Sequence, residues 1–146
     1  MELQIRKMSP DDLGPLHRLL SDPYVMKYLE PPFSEEQTKR FLSDAGLCDP
    51  PLIYAAELQK QFIGYVIYHS YDEGSMEIGW VLLPEYQGKG YASALTKLLT
   101  EKAKSEDKDA VIECVPQQAA SRRIAEKSGF AYCGRIDGLN VYRSGR

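Results

Sequence analysis

The sequence predicts an α/β fold in which one mixed, mostly antiparallel sheet is flanked by helices. Three adjacent β-rich segments lie between Leu52 and Leu83, and the short polar turns that separate them predict an antiparallel meander. A strand, a long helix and another strand follow one another from Ser75 to Val115. Such a unit predicts a right-handed crossover and therefore one parallel pair in the sheet.

The first half of the chain is predicted to contain one strand and two helices before the meander. Leu3 to Lys7 alternates apolar and polar residues as a half-buried strand does, and Ser9 caps a helix with leucines at helical spacing. Residues 22–33 are predicted as a short helix-like piece that two prolines stop. Ser34 opens a capping box for the second helix, which should end near Gly46.

The second half is predicted to alternate strands and helices. The meander strands cover residues 52–58, 62–71 and 75–83, and a long helix runs from Gly90 to Glu106. Residues 110–115 form the next strand, the last helix ends at Gly129, and two strands follow up to Arg143. The predicted order is therefore β-α-α-β-β-β-α-β-α-β-β.

Composition and charge exclude several classes of protein. The 146 residues, 43% of them hydrophobic and 27% charged, fit one globular domain spanning residues 1–146. The net charge of -3 argues against nucleic acid or an anionic membrane as a partner. Cys48, Cys114 and Cys133 are odd in number and far apart, which predicts neither a disulfide framework nor a metal site. With no signal peptide and no apolar run near the ~18 residues that span a bilayer, the expected location is the cytoplasm.

A glycine-rich turn, Gln87 to Ala92, lies between the last meander strand and the long helix. Gly88 and Gly90 allow positive φ and let successive N–H groups point into one concavity, beside the positive end of the helix dipole. Lys89 adds a charge, and Ala92 leaves the first helical turn accessible. The turn therefore indicates an anion site, although a tight connection without a ligand would use the same glycines.

Residues 75–95, SMEIGWVLLPEYQGKGYASAL, resemble the core motif of the GNAT superfamily of acyl-CoA-dependent N-acetyltransferases. The turn matches every fixed position of the family's phosphate loop, Gln/Arg-x-x-Gly-x-Gly/Ala. KSGF at 127–130 and the segment 22–42 are similar to the branch that includes ribosomal-protein N-terminal acetyltransferases. This resemblance implies a GNAT-like fold, acetyl-CoA (coenzyme A) as the acetyl donor, and no metal.

The resemblance also implies which residues bind the donor. In the family, the strands on either side of the long helix pair at one end and splay at the other, and the pantetheine enters the gap like an extra strand. A bulge is expected near Leu82, and an N–H near Val81 or Leu82 would meet the oxyanion. The implied set is Trp80, Val81, Leu82 and Leu83 for the pantetheine, and Gln87, Gly88, Lys89, Gly90, Tyr91 and Ala92 for the pyrophosphate.

Two residues are candidates for the chemistry. The resemblance makes Glu77 the general base, with a solvated strand carboxylate as the alternative. It places Ser121 at the pantetheine and the departing thiolate, within an Asn-x-x-Ser pattern in which Gln118 replaces the asparagine. Ala125 stands where many members carry a tyrosine acid, but a thiol with a pKa of ~8.5 leaves without a strong acid. His69, like His17, shows no partner in the sequence and is interpreted as incidental.

The sequence thus predicts an acetyl-CoA-dependent N-acetyltransferase that acetylates a primary amine by direct attack. The acceptor is a protein N-terminus or a small-molecule amine, and the protein is a monomer or a homodimer. One alternative is a non-catalytic acyl-CoA-binding or regulatory module of the same fold. A second alternative, a nucleotide-binding domain, lacks the βαβ context of a dinucleotide site.

Overall fold

The computed structural model describes residues 2–145, which form seven strands and four α-helices in the predicted order. Short 3-10 turns cover Pro10–Asp12 and Pro84–Tyr86, and a π-helical turn, Leu42–Gly46, ends the second helix. The helices are α1 (Leu13–Leu20), α2 (Glu35–Phe41), α3 (Tyr91–Ser105) and α4 (Ala119–Lys127). The strands are β1 (Leu3–Arg6), β2 (Ile53–Leu58), β3 (Gln61–Asp72), β4 (Ser75–Leu82), β5 (Asp109–Cys114), β6 (Ala131–Ile136) and β7 (Leu139–Arg143).

The strands form one mixed sheet in the order β1-β2-β3-β4-β5-β7-β6. β1 pairs with β2, β2 with β3, β5 with β7 and β6 with β7, each in the antiparallel sense. β4 and β5, joined through α3, are parallel, with Ser75 opposite Asp109 and Glu77 opposite Val111. The predicted mixed sheet with one parallel pair is confirmed.

The described chain divides into two compact units. The first unit comprises residues 2–67 and Trp80–Lys89. Helix α1 buries Leu16, Leu19 and Leu20 there, because three leucines at this spacing share one helix face. They belong to a hydrophobic core with Met8, Met26, Leu42, Ala45, Ile53, Ala55, Tyr65, Val81 and Leu83.

The second unit comprises Tyr68–Gly79 and residues 90–145. Helix α3 buries Leu95, Thr96, Leu99 and Ala103, and the Thr96 hydroxyl donates to the Ala92 carbonyl at 2.8 Å. Other large buried side chains of this unit are Phe130 and, from its strands, Tyr68, Ile78, Val111, Ile112, Val141 and Tyr142. The strand residues Glu77 and Glu113 are therefore set among buried apolar side chains.

The segment 22–33 was predicted as a short helix-like piece, and the structure has turns there in place of a regular helix. The Asp22 carboxylate accepts hydrogen bonds from the Tyr24 and Val25 N–H groups at 2.8 and 3.2 Å, and the Met26 N–H donates to the Asp22 carbonyl at 3.1 Å. These are the contacts of a capped first helical turn, but the segment does not continue as a helix. Along residues 2–145, no helix is long and apolar enough to cross a membrane.

Candidate active site

The glycine turn has the backbone conformation that its sequence predicts. Gly88 and Gly90 have φ values of 70° and 88°, in the left-handed region that other residues rarely adopt. A Cβ built on either glycine would have no other atom within 4 Å, so the space beside the turn is open. Gly90 is the N-cap of α3, no side chain caps that helix, and its ladder begins with Ala94 N–H donating to Gly90 O at 3.1 Å. The turn is thus open beside a helix N-terminus.

Gln87 fastens this turn to the end of β4. Its Nε2 donates to the Leu82 carbonyl at 2.9 Å, while the Leu83 N–H donates to the Ile63 carbonyl at 2.9 Å. On β3, a Cβ added to Gly64 would lie 2.1 Å from the Val81 carbonyl oxygen, so only glycine permits this close approach of the backbones. The carboxyl end of β4 is therefore fixed by backbone and side-chain contacts together.

The pairing of β4 with β5 is short. Its register contains three residue pairs and ends at Glu77 opposite Val111, although β4 continues to Leu82 and β5 to Cys114. The predicted separation of these strands at one end agrees with this register. Backbone groups of β4 beyond Glu77 are thus available on the side where β5 would otherwise pair.

Glu77 lies at the point where this pairing ends, on a face shared with other ionisable groups. Its side chain is 22% exposed, and its Oε1 lies 3.8 Å from His69 Nε2. Burial raises the pKa of the Glu77 carboxyl; the His69 imidazole opposes that shift and the Glu113 carboxylate adds to it. A partly buried carboxyl with a raised pKa is the kind of group that serves as a general base in enzymes.

Tyr71 and Glu113 extend this ionisable cluster. The Tyr71 hydroxyl donates to Glu113 Oε2 at 3.1 Å, and burial followed by that hydrogen bond raises the pKa of the tyrosine. The Arg143 guanidinium lies 5.6 Å from the centre of the Tyr71 ring and pairs with Asp72 at 2.6 Å. The sheet register places Arg143 opposite Val111, which is itself opposite Glu77. The cluster therefore occupies one face of neighbouring strands.

Sequence reasoning missed three members of this cluster: His69, Tyr71 and Glu113. The sequence showed no partner for His69, whereas the fold brings its Nε2 to 3.8 Å from Glu77 Oε1. His69 and Tyr71 are two residues apart on one strand, as side chains on one face of a sheet must be. That spacing was a usable signal, but it needed the β3–β4 register to become a prediction.

Ser121 lies in the first turn of α4, and Gln118 is the N-cap of that helix without a side-chain capping hydrogen bond. Both are partly buried, and Ala125 is completely buried. Burial raises the pKa of the Cys114 thiol, and the charge of Arg122 opposes that rise. The roles predicted for Ser121 and Gln118 stay predictions.

Metal-ligating side chains do not assemble in the part of the chain that the structure describes. No group of three or more His, Cys, Asp or Glu residues within residues 2–145 is arranged to hold a metal ion. Cys48, Cys114 and Cys133 are free thiols.

Comparison with known proteins decides the family. A model of the acetyltransferase (GNAT) domain matches residues 2–131. The chain belongs to this acetyltransferase family. A Bacillus subtilis N-acetyltransferase, YnaD, called uncharacterized, is 32% identical over 134 residues, which are 88% of this chain and 78% of the relative.

Two solved structures show the same fold as this GNAT chain. A GNAT-family acetyltransferase from Bacillus anthracis is 30% identical with a TM-score of 0.83, over 98% of this chain and 93% of that one. RimL, a ribosomal L7/L12 α-N-protein acetyltransferase solved with coenzyme A, is 22% identical with a TM-score of 0.83, over 97% and 92%. The recognition of the family from residues 75–95 is therefore confirmed.

Proposed function

We propose that this GNAT acetyltransferase transfers an acetyl group from acetyl-CoA to a primary amine by direct attack on the thioester. The open turn at Gly88 and Gly90 carries this proposal, because it presents a helix N-terminus and adjacent main-chain N–H groups to an anion. The phosphates of coenzyme A are such anions. Binding by main-chain groups also explains how a chain with a net charge of -3 takes an anionic donor.

The donor-binding residues follow from the same geometry. The pantetheine amides pair with backbone groups at Trp80, Val81, Leu82 and Leu83, in the manner of strand addition to an open edge. The Leu82 carbonyl and the Leu83 N–H do not take part, because they already bond Gln87 Nε2 and the Ile63 carbonyl. The pyrophosphate lies on the turn Gln87, Gly88, Lys89, Gly90, Tyr91 and Ala92. Gln87 acts indirectly, because its side-chain amide already donates to the Leu82 carbonyl and holds the turn against β4.

Glu77 is the proposed general base. Deprotonating an amine at pH 7 costs about 1 kcal/mol for an α-amine and roughly 4–5 kcal/mol for a lysine-like amine, from reference pKa values of about 8 and 10.4. A partly buried carboxylate with a raised pKa lowers this cost by accepting the proton of the ammonium, so that the neutral amine can attack the acyl carbon. An N–H near Val81 or Leu82 donates to the thioester oxygen, while Ser121, with Gln118 at the helix N-cap, steadies the leaving thiolate.

The test replaces Glu77 by glutamine, which keeps the shape and removes the proton acceptor. We expect Glu77→Gln to lower kcat by ~10²–10⁴ at pH 7 with an unchanged acetyl-CoA affinity. Glu73→Gln is the matched control, because Glu73 is an exposed residue of the β3–β4 turn. The defect should shrink as pH rises and more of the amine is neutral. Wild-type turnover in Glu77→Gln at pH 7 would refute the assignment.

The same pH profile reports the class of acceptor. For Glu77→Gln, kcat should reach its plateau at about pH 8 with an α-amine and at about pH 10 with a lysine-like amine. Both a protein N-terminus and a small-molecule amine are retained as acceptors. A chain that binds acetyl-CoA but acetylates no amine across these classes would instead be the non-catalytic module.

We further propose one domain over residues 1–146, since the family match runs from residue 2 to 131 across both units. The cytoplasm remains the proposed location, on cysteine usage.

A further inference from the structure

His69 stands next to the proposed base but lies outside the reaction as described so far. Its Nε2 is 3.8 Å from Glu77 Oε1, and its Nδ1 is 3.1 Å from the carbonyl oxygen of Ser70. The His69 side chain is 31% exposed, against 22% for Glu77. The imidazole therefore contacts the more buried carboxyl at one nitrogen and reaches solvent with part of its ring.

We propose that His69 is the proton outlet of the acetyl transfer: it accepts from Glu77 the proton that came from the amine and releases it to solvent. This inference rests on the proposed role of Glu77 as base. Histidine suits the task because its charge ordinarily changes between about pH 5 and 8. His69 acts through Glu77: it receives the proton from that carboxyl and does not contact the acceptor.

The hydrogen bond at Nδ1 sets the tautomer that the outlet needs. A carbonyl oxygen only accepts, so the contact with Ser70 O requires that Nδ1 carries the hydrogen. In the neutral ring, Nε2 then has its lone pair, and this nitrogen is the one beside Glu77. The neutral imidazole can accept a proton at that position without changing tautomer.

The proton is conserved through each step. The ammonium of the acceptor gives one proton to the Glu77 carboxylate and becomes the amine nucleophile. After the amine has attacked and the C–S bond breaks, the second proton that the nitrogen loses goes to the departing thiolate, which leaves as the thiol of coenzyme A. The Glu77 carboxylic acid gives the first proton to His69 Nε2, which regenerates the carboxylate and leaves an imidazolium. The imidazolium loses a proton to water and is neutral again. A separation of 3.8 Å exceeds a direct hydrogen bond, so the transfer uses a small side-chain rotation or one bridging water.

Charged groups of the neighbouring strands surround this position. Glu77 on β4 lies 3.8 Å from His69 Nε2, and the Glu113 carboxylate of β5 acts on Glu77. Tyr71, two residues further along β3, donates its hydroxyl hydrogen to Glu113. The Arg143 guanidinium of β7 lies over the ring of Tyr71. The partly exposed His69 ring gives the proton a way out to water.

The test compares His69→Gln with His17→Gln. His17 is the matched control because its ring contacts the Thr38 hydroxyl at 3.2 Å in the first unit, away from Glu77 in the chain. We expect His69→Gln to lower kcat about 10-fold at pH 7 in dilute buffer, with KM for acetyl-CoA unchanged, and His17→Gln to behave as wild type. In His69→Ala, added imidazole should restore kcat in a concentration-dependent manner, while wild type should not respond.

The inference is overturned if His69→Gln and His69→Ala keep wild-type kcat, or if added imidazole does not restore the kcat that His69→Ala loses. A double variant separates this failure from a failure of the proposed function. If Glu77→Gln is impaired and adding His69→Gln lowers kcat no further, both proposals stand, because the outlet works only through the base. If Glu77→Gln alone keeps full activity, Glu77 is not the base and the role of His69 is refuted with it. If the two losses of kcat multiply as independent factors, the role of His69 is refuted and that of Glu77 is kept.

Discussion

At the scale of single residues, the proposed role of Glu77 as base depends on the pH at which its carboxyl ionises. Burial raises the pKa of the Glu77 carboxyl, the His69 imidazole lowers it and the Glu113 carboxylate raises it again. A base with a raised pKa is a better proton acceptor once ionised but is ionised only at higher pH. The acid side of the activity profile should therefore follow Glu77, and Glu113 should set its position.

Replacing Glu113 by glutamine tests this coupling. Loss of the Glu113 charge removes one cause of the raised pKa, so Glu77 should ionise at lower pH in Glu113→Gln. The acid limb of kcat/KM should move to lower pH, and activity below the limb should exceed that of wild type. Tyr71→Phe is the control, since it removes the hydrogen bond to Glu113 but keeps the carboxylate. An acid limb that moves equally in both variants, or in neither, would contradict the argument.

At the scale of elements, the glycine turn and helix α3 form the proposed anion site. The two left-handed glycines bend the chain between β4 and α3, and Gln87 ties the bend to Leu82. This geometry is local to residues 82–94, so the glycines predicted the positive φ values, whereas the prediction of an anion ligand depended on the resemblance of residues 75–95 to the GNAT motif. The turn therefore allows a substitution that affects donor binding more than folding.

Gly90→Val should weaken acetyl-CoA binding by at least ~10-fold, about 1.4 kcal/mol. A valine at φ = 88° puts a branched side chain into the open space beside the turn, where the pyrophosphate is proposed to lie. Gly138→Val is the matched control, because Gly138 has a φ of 81° and equally open surroundings in the β6–β7 turn. Calorimetry with acetyl-CoA, and with NAD and ATP as competing classes, measures the effect.

Both variants carry similar backbone strain, so both should be less stable than wild type. Only Gly90→Val should lose affinity. Unchanged acetyl-CoA affinity in folded Gly90→Val would remove the turn from the donor site. Tight binding of NAD or ATP in place of acetyl-CoA would favour the nucleotide-binding alternative.

At the scale of the whole molecule, local sequence patterns predicted the helices and strands. They could not predict which side chains meet across neighbouring strands. The order of strands and helices followed from periodicity, as α1 shows with Leu16 and Leu20 on its buried face. The partnership of His69 with Glu77 depends on the register of two strands, which periodicity does not contain. The segment after Asp22 begins with the capping contacts of a helix but continues as turns, and the local sequence pattern predicted the first and not the second.

The ion pairs that hold distant segments together predict how the stability of the molecule responds to acid. Arg6 on β1 donates to both carboxylate oxygens of Asp12 at 2.9 Å and to Glu57 of β2 at 2.7 Å, and the Ser9 N–H also donates to Asp12. Burial pushes the pKa of Asp12 upward, but the Arg6 hydrogen bonds, the Ser9 N–H and the Arg6 charge outweigh it and hold that pKa below its usual range. Asp72 pairs with Arg143 on the exposed surface, and its Ser75 hydrogen bond and the arginine lower its pKa to about 2.

Asp12→Asn should therefore cost about 1.5–3 kcal/mol of unfolding free energy at pH 7, the range for hydrogen bonds to a charged group. A carboxyl whose pKa is lower in the folded state stabilises the fold above its unfolded pKa of about 3.9, and this contribution is lost as pH falls through the folded value. The stability gap between wild type and Asp12→Asn should thus be constant from about pH 7 to 5 and should close below about pH 4.

Asp72→Asn is the exposed control and should cost much less unfolding free energy at pH 7, because solvent screens its pair with Arg143. Urea denaturation of the three proteins between pH 3 and 7 measures the gaps. A gap for Asp12→Asn that stays constant down to pH 3 would assign the loss to packing around Asp12, since an uncharged contact does not titrate.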